Sequence, residues 1–282
     1  MVVVPATIEG AALSVALFPF VLHRWDMYRW DRDHRHQHVP KGKGHEEALT
    51  VLLPVWNEAH VIEKKLTNLA AQNLSVNLLL IDSASTDDTV ARAKEWFAAH
   101  QDAFMNVEML HMDMRQGKTA AVVKALNHHG QHAEGLVCMT DADAMLEQGC
   151  LHRMMQWFAD PMVGAVGAVP KREGAREEER LHRTAWEAMR LAESMVDSTP
   201  FLEGSCMMWR PSCLAIDDLN TTANADDAQI ATSVRCRGWR TLTDPLAQFV
   251  DAAPSTIKGQ RRQKIRRAQG LQRLLTRQRK QS

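Results

Sequence analysis

Two carboxylates follow a short apolar run near the middle of the chain. Asp141 and Asp143 are separated by one alanine and come directly after residues 136–140, a run with the composition of a buried strand. Hard divalent cations such as Mg²⁺ and Mn²⁺ prefer oxygen ligands, and their sites often combine one or two carboxylates with phosphate and water. By itself a D-x-D string is better explained as solvated loop acids, but its position after a strand favours a metal and phosphate site.

Two further positions carry groups suited to a bound anion or nucleoside. Asp82 ends the second apolar run, where its carboxylate could accept hydrogen bonds from a base or ribose. It could also cap the helix that follows, and Ser85 and Asp87 are alternative caps. Lys118 follows Gly117 at the predicted start of a helix, so its ammonium could meet a diphosphate, and an ordinary surface lysine is the alternative.

A second pair of acids precedes another helical pattern. Asp226 and Asp227 are adjacent, and Ile230, Ala231 and Val234 follow at helical spacing. Neighbouring carboxylates repel each other, so one of them can keep a raised pKa and act as a general base. Capping of the helix N-terminus is the alternative, and the local pattern alone favours it.

Alternating strands and helices must position these side chains. Apolar runs predict strands at 49–54, 76–81, 107–110, 136–140 and 163–169, with helices between them. This order is typical of a doubly wound, mostly parallel sheet, whose ligands bind beyond the carboxyl ends of the strands. Residues 171–193 differ, because apolar side chains recur there at helical spacing within a highly charged segment and so predict an amphipathic helix.

The composition excludes several classes of protein. The chain has 282 residues, of which 45% are hydrophobic and 24% charged, with 34 basic and 34 acidic side chains and a formal net charge of +0. A disordered, collagen-like or multi-pass membrane protein needs a strong bias that is absent here. The five cysteines form no C-x-x-C pair, so they indicate neither a zinc site nor a disulfide framework and fit a reducing cytosol.

The neutral net charge is an average over two unlike parts. The 31 residues after Asp251 carry ten basic and no acidic side chains, whereas the preceding 251 residues hold 24 basic against 34 acidic ones. Ile265, Ala268, Leu271 and Leu275 share one helical face of this basic tail, a pattern typical of an interfacial helix on an anionic membrane surface. A solvated tail is the alternative, and nucleic acid is not expected because no aromatic stacking set accompanies the charge.

The N-terminus also points to a membrane. Residues 2–22 are mostly apolar and reach the length of about 20 residues that spans a bilayer, although Pro5, Glu9 and Pro19 weaken this interpretation. The following segment is rich in arginine, histidine and aromatic residues, as at a cytoplasmic interface. We therefore expect a membrane-associated protein at the cytoplasmic face, with a single N-terminal transmembrane helix as one form of the anchor; a helix packed on the domain is the alternative. The alternating His34, His36 and His38 are expected in a solvated linker rather than a metal site.

Together, the motifs resemble the family-2 inverting glycosyltransferases of GT-A fold. The resemblance covers roughly residues 49–270, and the ordered set is more specific than any single motif. It implies an α/β fold of the GT-A type, with a Rossmann-like, mostly parallel central sheet flanked by helices. The matching segments, in chain order, are Pro54-Val-Trp-Asn57-Glu58, residues 81–89, Gly117-Lys118, Asp141-Ala-Asp143, Gly204-Ser205, Asp226-Asp227 and Gly238-Trp239-Arg240.

The resemblance implies roles for the matching residues. Asp227 would be the catalytic base that deprotonates the acceptor hydroxyl, and Asp143 would hold Mn²⁺ or Mg²⁺ on the diphosphate. Asp141 would meet both the ribose and the metal, while Gly204 and Asp226 would contact the acceptor or the diphosphate. The nucleotide pocket would be lined by Pro54, Asn57, Glu58, Asp82, Lys118 and Asp141.

One motif in the basic tail departs from the family pattern. Gln263-Lys-Ile-Arg266-Arg267 is similar to the Q-x-x-R-W motif of membrane-bound, often processive members, and the resemblance implies acceptor or diphosphate contacts for Gln263, Arg266 and Arg267. Arg267 replaces the tryptophan that helps to seat the acceptor sugar in those enzymes. We therefore expect transfer of one sugar to a lipid-linked or glycan acceptor rather than polymer synthesis.

These expectations divide the chain into four segments. Residues 1–46 would form a membrane anchor and basic linker, 47–170 the nucleotide-sugar-binding half, 171–251 the acceptor and base half, and 252–282 a basic amphipathic segment. The expected activity is metal-dependent, inverting transfer from a nucleotide-sugar donor to a hydroxyl acceptor. A noncatalytic nucleotide-sugar-binding protein is the alternative. A sugar-phosphate nucleotidyltransferase is disfavoured because residues 54–58 stand where that class has a glycine-rich phosphate loop.

Overall fold

Helices and strands alternate along the chain, as the apolar pattern predicts. The computed structural model describes residues 6–34, 38–42, 48–129, 134–171, 177–223 and 225–251, so the motif at Gln263, Arg266 and Arg267 lies outside the described residues. The elements are α1 Ala6–His34, β1 Leu49–Val55, α2 Ile62–Ala70, β2 Val76–Asp82, α3 Thr89–Ala99, β3 Asn106–His111, α4 Lys118–His129, β4 Leu136–Thr140, β5 Ala144–Leu146, α5 Cys150–Met155, β6 Val163–Lys171, α6 Glu177–Val196, β7 Cys206–Trp209, α7 Asp226–Cys236 and β8 Arg240–Asp251.

One mixed sheet carries the described part of the chain. Within these ranges eight strands pair in the order β3-β2-β1-β4-β7-β6-β8-β5. β1 is parallel to β2 and β4, and β2 is parallel to β3, so the carboxyl ends of four strands meet at one edge. β7 is antiparallel to both β4 and β6, and β8 is parallel to β6. The predicted α/β fold with a mostly parallel sheet is confirmed, and β5 and β7 add antiparallel pairs that the sequence did not predict.

The sheet is buried on both faces because side chains alternate along its strands. In β1, Val51 and Leu53 join one hydrophobic cluster with Ile62 of α2, whereas Leu52 joins the opposite cluster with Val122 of α4. All five side chains are fully buried. Each such side chain contributes about 1.5–3 kcal/mol to folding. Helices therefore cover both faces of the sheet. The loops at its carboxyl edge begin from strands that are fixed by this packing.

The N-terminal helix is longer than its apolar stretch. α1 continues through Pro19 to His34 and packs against α6. Within the described ranges no helix is long and apolar enough to cross a membrane.

The segment after α1 is packed on the domain at His38. The His38 Nε2 atom lies 2.9 Å from the Thr243 carbonyl oxygen, and the ring centroids of His38 and Trp157 are 4.8 Å apart. Burial lowers the pKa of this histidine. The solvated linker expected at His38 is therefore wrong for this residue, because its ring has both an apolar and a polar partner.

Candidate active site

Two loops at the carboxyl edge of the sheet are joined by side-chain hydrogen bonds. Pro54 pairs with Ile81 in the β1–β2 ladder, so the turns that follow these strands emerge side by side. The Thr86 backbone N–H donates to Asn57 Oδ1 at 2.8 Å, and the Glu58 N–H donates to Thr89 Oγ1 at 2.7 Å. The Asn57 backbone has a positive φ of 56°, which asparagine tolerates better than most residues. The loop that carries Asn57 and Glu58 is thus tied to the loop that carries Thr86 and Thr89.

Asp82 lies at the end of β2 with its carboxylate turned inward. One carboxylate oxygen accepts the Ser85 N–H at 3.0 Å, and the other lies 3.5 Å from His111 Nδ1. The side chain is only 7% exposed. Asp82 does not cap α3, because that helix starts at Thr89 and its N-cap residue, Asp88, makes no side-chain capping bond. The carboxylate is therefore held by the turn after β2 and is not used by a helix end.

An aromatic residue and an arginine stack between two loops at the carboxyl edge of the sheet. The Arg115 guanidinium carbon lies 3.3 Å from the centroid of the Trp56 ring, within cation–π distance. Trp56 directly precedes Asn57, and Arg115 belongs to the loop between β3 and α4. The contact links the β1 loop with the loop that leads to Lys118. This pair cannot be predicted from local sequence pattern, because its members are 59 positions apart.

The D-x-D carboxylates lie just beyond β4. Asp141 and Asp143 stand in the turn between β4 and β5, and Glu58 approaches them from the β1 loop. Burial and the nearby Asp141 carboxylate raise the pKa of Asp143. Burial and then the charges of Asp143 and Asp141 raise the pKa of Glu58 to about 7. A cation bound beside Glu58 and Asp143 would therefore favour the charged form of both carboxylates.

Lys118 connects the D-x-D turn with the acids of α7. Its Nζ atom lies 2.6 Å from Asp141 Oδ1 and 3.2 Å from Asp226 Oδ2, and it donates to the Gly204 carbonyl oxygen at 2.9 Å. Gly117 has a φ of 93°, a left-handed conformation that glycine adopts without strain, and this turn starts α4 at Lys118. Burial opposes the charge of Lys118, but the carboxylates of Asp141, Asp226 and Asp227 outweigh it and raise the lysine pKa.

Asp227 occupies the first turn of α7, beside a close glycine contact. A Cβ atom added to Gly204 would lie 3.1 Å from Asp227 Oδ2, so the glycine leaves room for this carboxylate. Burial, and then the charge of Asp226, raise the pKa of Asp227 to about 6. Asp227 makes no N-cap, since the capping position is Ala225 and no side-chain capping bond is present there. The structure therefore separates the paired acids, with Asp226 facing Lys118 and Asp227 facing Gly204.

The donor set fits a divalent cation that brings ligands of its own. No three His, Cys, Asp or Glu side chains in the described part of the chain converge closely enough to hold a metal ion alone. Asp141 and Asp143 supply carboxylate oxygens, the ligand type that Mg²⁺ and Mn²⁺ prefer, and their mutual repulsion favours a cation between them. Such a cation would complete its coordination with diphosphate oxygens and water.

The structure brings together most of the residues that the sequence singled out. Direct contacts join Lys118 with Asp141, Asp226 and Gly204, and Asp227 lies against Gly204. Asn57, Glu58 and Asp82 are held in the adjoining loops by the hydrogen bonds given above.

A buried lysine beneath the D-x-D turn escaped the sequence analysis. Lys65 Nζ donates to Thr140 Oγ1 at 2.8 Å and to the Ala144 carbonyl oxygen, and the side chain is fully buried. Its sequence signal was the helical spacing of Ile62, Lys65 and Leu69, which places the lysine on the inner face of α2.

Comparison with known proteins identifies a family. The chain matches the family model "Glycosyl transferase family 2" over residues 50–214. It is 24% identical over 237 residues to poly-beta-1,6-N-acetyl-D-glucosamine synthase of Staphylococcus aureus, a match that covers 79% of this chain and 54% of that protein. The chain thus spans about half the length of the curated relatives it matches.

Solved structures share the fold. Mannosyltransferase PcManGT from Pyrobaculum calidifontis, in complex with GDP-Man and Mn²⁺, has a TM-score of 0.75 and 29% identity, covering 92% of this chain and 73% of that one. Glucosyl-3-phosphoglycerate synthase from Mycobacterium tuberculosis, in complex with Mn²⁺, UDP and glucosyl-3-phosphoglycerate, has a TM-score of 0.51 at 16% identity, covers 76% of this chain and 74% of that one, and shows the fold alone. The GT-A fold expected from the motifs is therefore confirmed. Since the family match extends over more than half of the sequence, the chain belongs to glycosyl transferase family 2 and is a glycosyltransferase.

Proposed function

We propose that this chain transfers one sugar from a nucleoside diphosphate sugar to an acceptor hydroxyl, with inversion of configuration at the anomeric carbon. The observation that carries the proposal is the Lys118 bridge, whose ammonium contacts Asp141 at 2.6 Å and Asp226 at 3.2 Å. Lys118 thus connects the D-x-D turn with the first turn of α7, which also carries Asp227. A donor and an acceptor bound on these two sides would meet at Lys118.

The nucleoside would occupy the joined loops after β1 and β2. In this proposal Pro54 and Asn57 line the pocket, Asp82 accepts a hydrogen bond from the base, and Glu58 faces the ribose or phosphates. The inward carboxylate of Asp82, held by the Ser85 N–H, supports this role because its orientation is fixed before a ligand arrives. Lys118 would neutralise the diphosphate once the donor displaces part of its carboxylate contacts.

Asp227 would act as the single general base. Its carboxylate takes the proton of the acceptor hydroxyl while that oxygen attacks the anomeric carbon. The bond from this carbon to the diphosphate oxygen breaks in the same step, and its electron pair leaves with the nucleoside diphosphate. A pKa of about 6 supports the assignment, because such a carboxylate is charged at neutral pH yet more basic than an ordinary aspartate. Because the acceptor oxygen displaces the diphosphate in a single step, the configuration at the anomeric carbon is inverted.

A cation held by Asp141 and Asp143 would supply Lewis-acid neutralisation of the departing diphosphate. Mn²⁺ is our first choice, because PcManGT and the synthase from M. tuberculosis contain it, and Mg²⁺ is the alternative. The clustered charges of Glu58, Asp141 and Asp143 support this choice.

The acceptor would enter beside Gly204 and Asp226. We propose a glycan or a lipid-linked acceptor, and contacts from Gln263, Arg266 and Arg267 of the basic tail to the acceptor or the diphosphate. Arg267 stands where processive relatives have tryptophan, which favours transfer of one sugar. For the donor, the relatives suggest two probes, GDP-mannose from PcManGT and UDP-N-acetylglucosamine from the staphylococcal synthase.

We also propose that the protein works at the cytoplasmic surface of an anionic membrane. α1 supports this, since Val15, Phe18, Phe20 and Trp25 are at least 60% exposed, an unusual outer face for a helix in water. Exposed Arg24 and Arg29 follow on the same helix and would meet lipid phosphates.

The proposed activity is tested by a thermal-shift screen followed by turnover. UDP, GDP and their sugars are added with and without Mn²⁺, since a ligand that binds the native state raises its apparent stability. The stabilising sugar nucleotide is then incubated with a panel of glycan and lipid-linked acceptors, and the anomeric configuration of the product is read by NMR. We expect release of the nucleoside diphosphate and an inverted product. Saturable binding without transfer to any acceptor would instead favour a noncatalytic nucleotide-sugar-binding protein.

A further inference from the structure

A buried ammonium lies directly beneath the D-x-D turn. Lys65 projects from α2 and has no exposed surface, whereas its neighbour Lys64 is exposed on the same helix. Among the described residues, no carboxylate lies within ion-pair distance of Lys65 Nζ. Burying a lysine is costly, and an apolar side chain of similar volume would commonly stabilise such a site better. The position therefore calls for an explanation other than stability.

The two contacts of Lys65 flank the metal-binding acids. Its Nζ donates to Thr140 Oγ1, at the end of β4, and to the carbonyl oxygen of Ala144, at the start of β5. The three residues between these two acceptors are Asp141, Ala142 and Asp143. One ammonium thus ties together both ends of the turn that carries the carboxylates.

The same contacts reach the loop on the other side of the site. Thr140 Oγ1 donates to the Ser205 carbonyl oxygen at 2.9 Å, and the Asp141 N–H donates to that oxygen at 3.1 Å. Ser205 follows Gly204, the residue against which Asp227 packs. A continuous chain of hydrogen bonds therefore runs from α2 through the D-x-D turn to the loop beside Asp227.

Two more polar side chains extend this attachment along α2. Asn68 Nδ2 donates to the Leu146 carbonyl oxygen and Asn68 Oδ1 accepts the Leu146 N–H, both at 2.8 Å. Gln72 Nε2 donates to the Glu147 carbonyl oxygen at 3.1 Å. Asn68 and Gln72 anchor the end of β5 and the residue after it, whereas Lys65 is the member of this α2 set that brings a charge to the turn.

We propose that Lys65 is a positioning residue that holds the Asp141 and Asp143 carboxylates at the spacing required for the metal–diphosphate complex. This inference rests on the proposed function. In this role Lys65 acts through the Thr140 hydroxyl and the Ala144 carbonyl at the two ends of the turn rather than by contact with metal or substrate. Outer-shell groups of this kind orient metal ligands, and their loss commonly costs about 10- to 100-fold in metal affinity.

The test compares Lys65→Met with Lys64→Met in the full chain. Both variants remove one ammonium from adjacent positions of α2, but only the first removes the contacts to Thr140 and Ala144. Mn²⁺ affinity is measured in the presence of saturating UDP or GDP, by the electron paramagnetic resonance signal of free Mn²⁺, and nucleotide affinity is measured separately without metal. We expect Lys65→Met to weaken Mn²⁺ binding by about 10- to 100-fold with metal-free nucleotide affinity unchanged, and Lys64→Met to match the wild type.

The outcomes separate this inference from the proposed function. If the wild-type chain binds neither UDP nor GDP with Mn²⁺, the proposed function fails and this inference with it. If the wild type binds and a folded Lys65→Met variant retains its Mn²⁺ affinity, only the role of Lys65 is overturned. Should Lys65→Met not fold, Lys65→Gln replaces the ammonium at the same position with a shorter, neutral amide and leaves the bond from Thr140 to Ser205 in place. Weakened Mn²⁺ binding in that variant supports the inference, and unchanged binding overturns it.

Discussion

At the scale of single residues, the site is an excess of negative charge arranged around one lysine. Asp141, Asp226 and Asp227 all raise the pKa of Lys118, while Glu58 and Asp143 titrate above their ordinary ranges. Packing like charges together destabilises the free protein. The same arrangement becomes favourable when a cation and a diphosphate enter together. The repulsion among carboxylates in the ligand-free protein is therefore consistent with a site that binds a metal ion and a diphosphate together.

The first prediction concerns Asp227 and pH. The acceptor proton can be taken only by the charged carboxylate, so activity should be lost as pH falls through the pKa. With that pKa at about 6, kcat/KM should be level above neutral pH and fall about tenfold per pH unit below 6. Asp227→Asn should lower kcat by about 10²- to 10⁴-fold while nucleotide binding persists. A pH profile that remains flat from pH 7 to pH 5 would contradict the base assignment.

The second prediction concerns the glycine beside that base. In Gly204→Ala the new methyl group would meet Asp227 Cβ and Oδ2, both at 3.1 Å, and push the carboxylate aside. A displacement of this size should lower kcat by up to about 100-fold. Nucleotide affinity without acceptor and the melting temperature serve as controls, and both should change little. Wild-type kcat in this variant would show that Asp227 needs no such clearance.

At the scale of elements, the sequence predicted the helices and strands that have a clear apolar pattern. It did not predict the strand and the contacts that depend on pairing between residues distant in the chain. The strand at 136–140 matched β4 residue for residue, because a short apolar run between Gly135 and the D-x-D acids is typical of a buried strand. β5 was missed since Ala144–Leu146 is too short to show a period, and it becomes a strand only by pairing with β8. Lys65 was missed for a similar reason, because its acceptors lie 75 and 79 positions away.

β8 offers a prediction about stability at this scale. Asp244 is fully buried within the strand, where its carboxylate accepts Arg153 Nε at 2.7 Å and Trp157 Nε1 at 2.5 Å. Asp244→Ala leaves both donors without their acceptor, so the free energy of unfolding should fall by about 3 kcal/mol. The exposed pair of Glu63 and Arg92, 3.4 Å apart, supplies the control, and Glu63→Ala should cost less than about 1 kcal/mol. Urea denaturation measures both, and equal losses would refute the importance of the buried acid.

At the scale of the whole molecule, charge and apolar surface are unevenly distributed. The 251 residues up to Asp251 carry an excess of ten acidic side chains, and the following 31 carry ten basic ones. The carboxylate-rich site belongs to the first part, whereas the second is suited to phosphates of a lipid or a diphosphate. The exposed apolar side chains of α1 add a second feature suited to a lipid surface.

A fourth prediction follows from this division. The full chain should bind vesicles that contain anionic lipid and bind neutral vesicles much less, because each basic residue near such a surface adds about 1 kcal/mol. Salt at about 1 M should weaken this binding, since it shortens the screening length to about 3 Å. Replacement of Phe18 and Phe20 by serine should reduce the vesicle binding that remains at high salt. Flotation assays measure each step, and equal binding to both kinds of vesicle would contradict the electrostatic part of the account.

The central claim is that the D-x-D acids and Asp227 together drive sugar transfer. The most direct measurement is the rate of nucleoside diphosphate release by the full chain with Mn²⁺, for GDP-mannose and UDP-N-acetylglucosamine, each with the acceptor panel. We expect release by the wild type with one donor and a loss of at least about 10²-fold in both Asp143→Asn and Asp227→Asn. Release at the wild-type rate by both variants would contradict it.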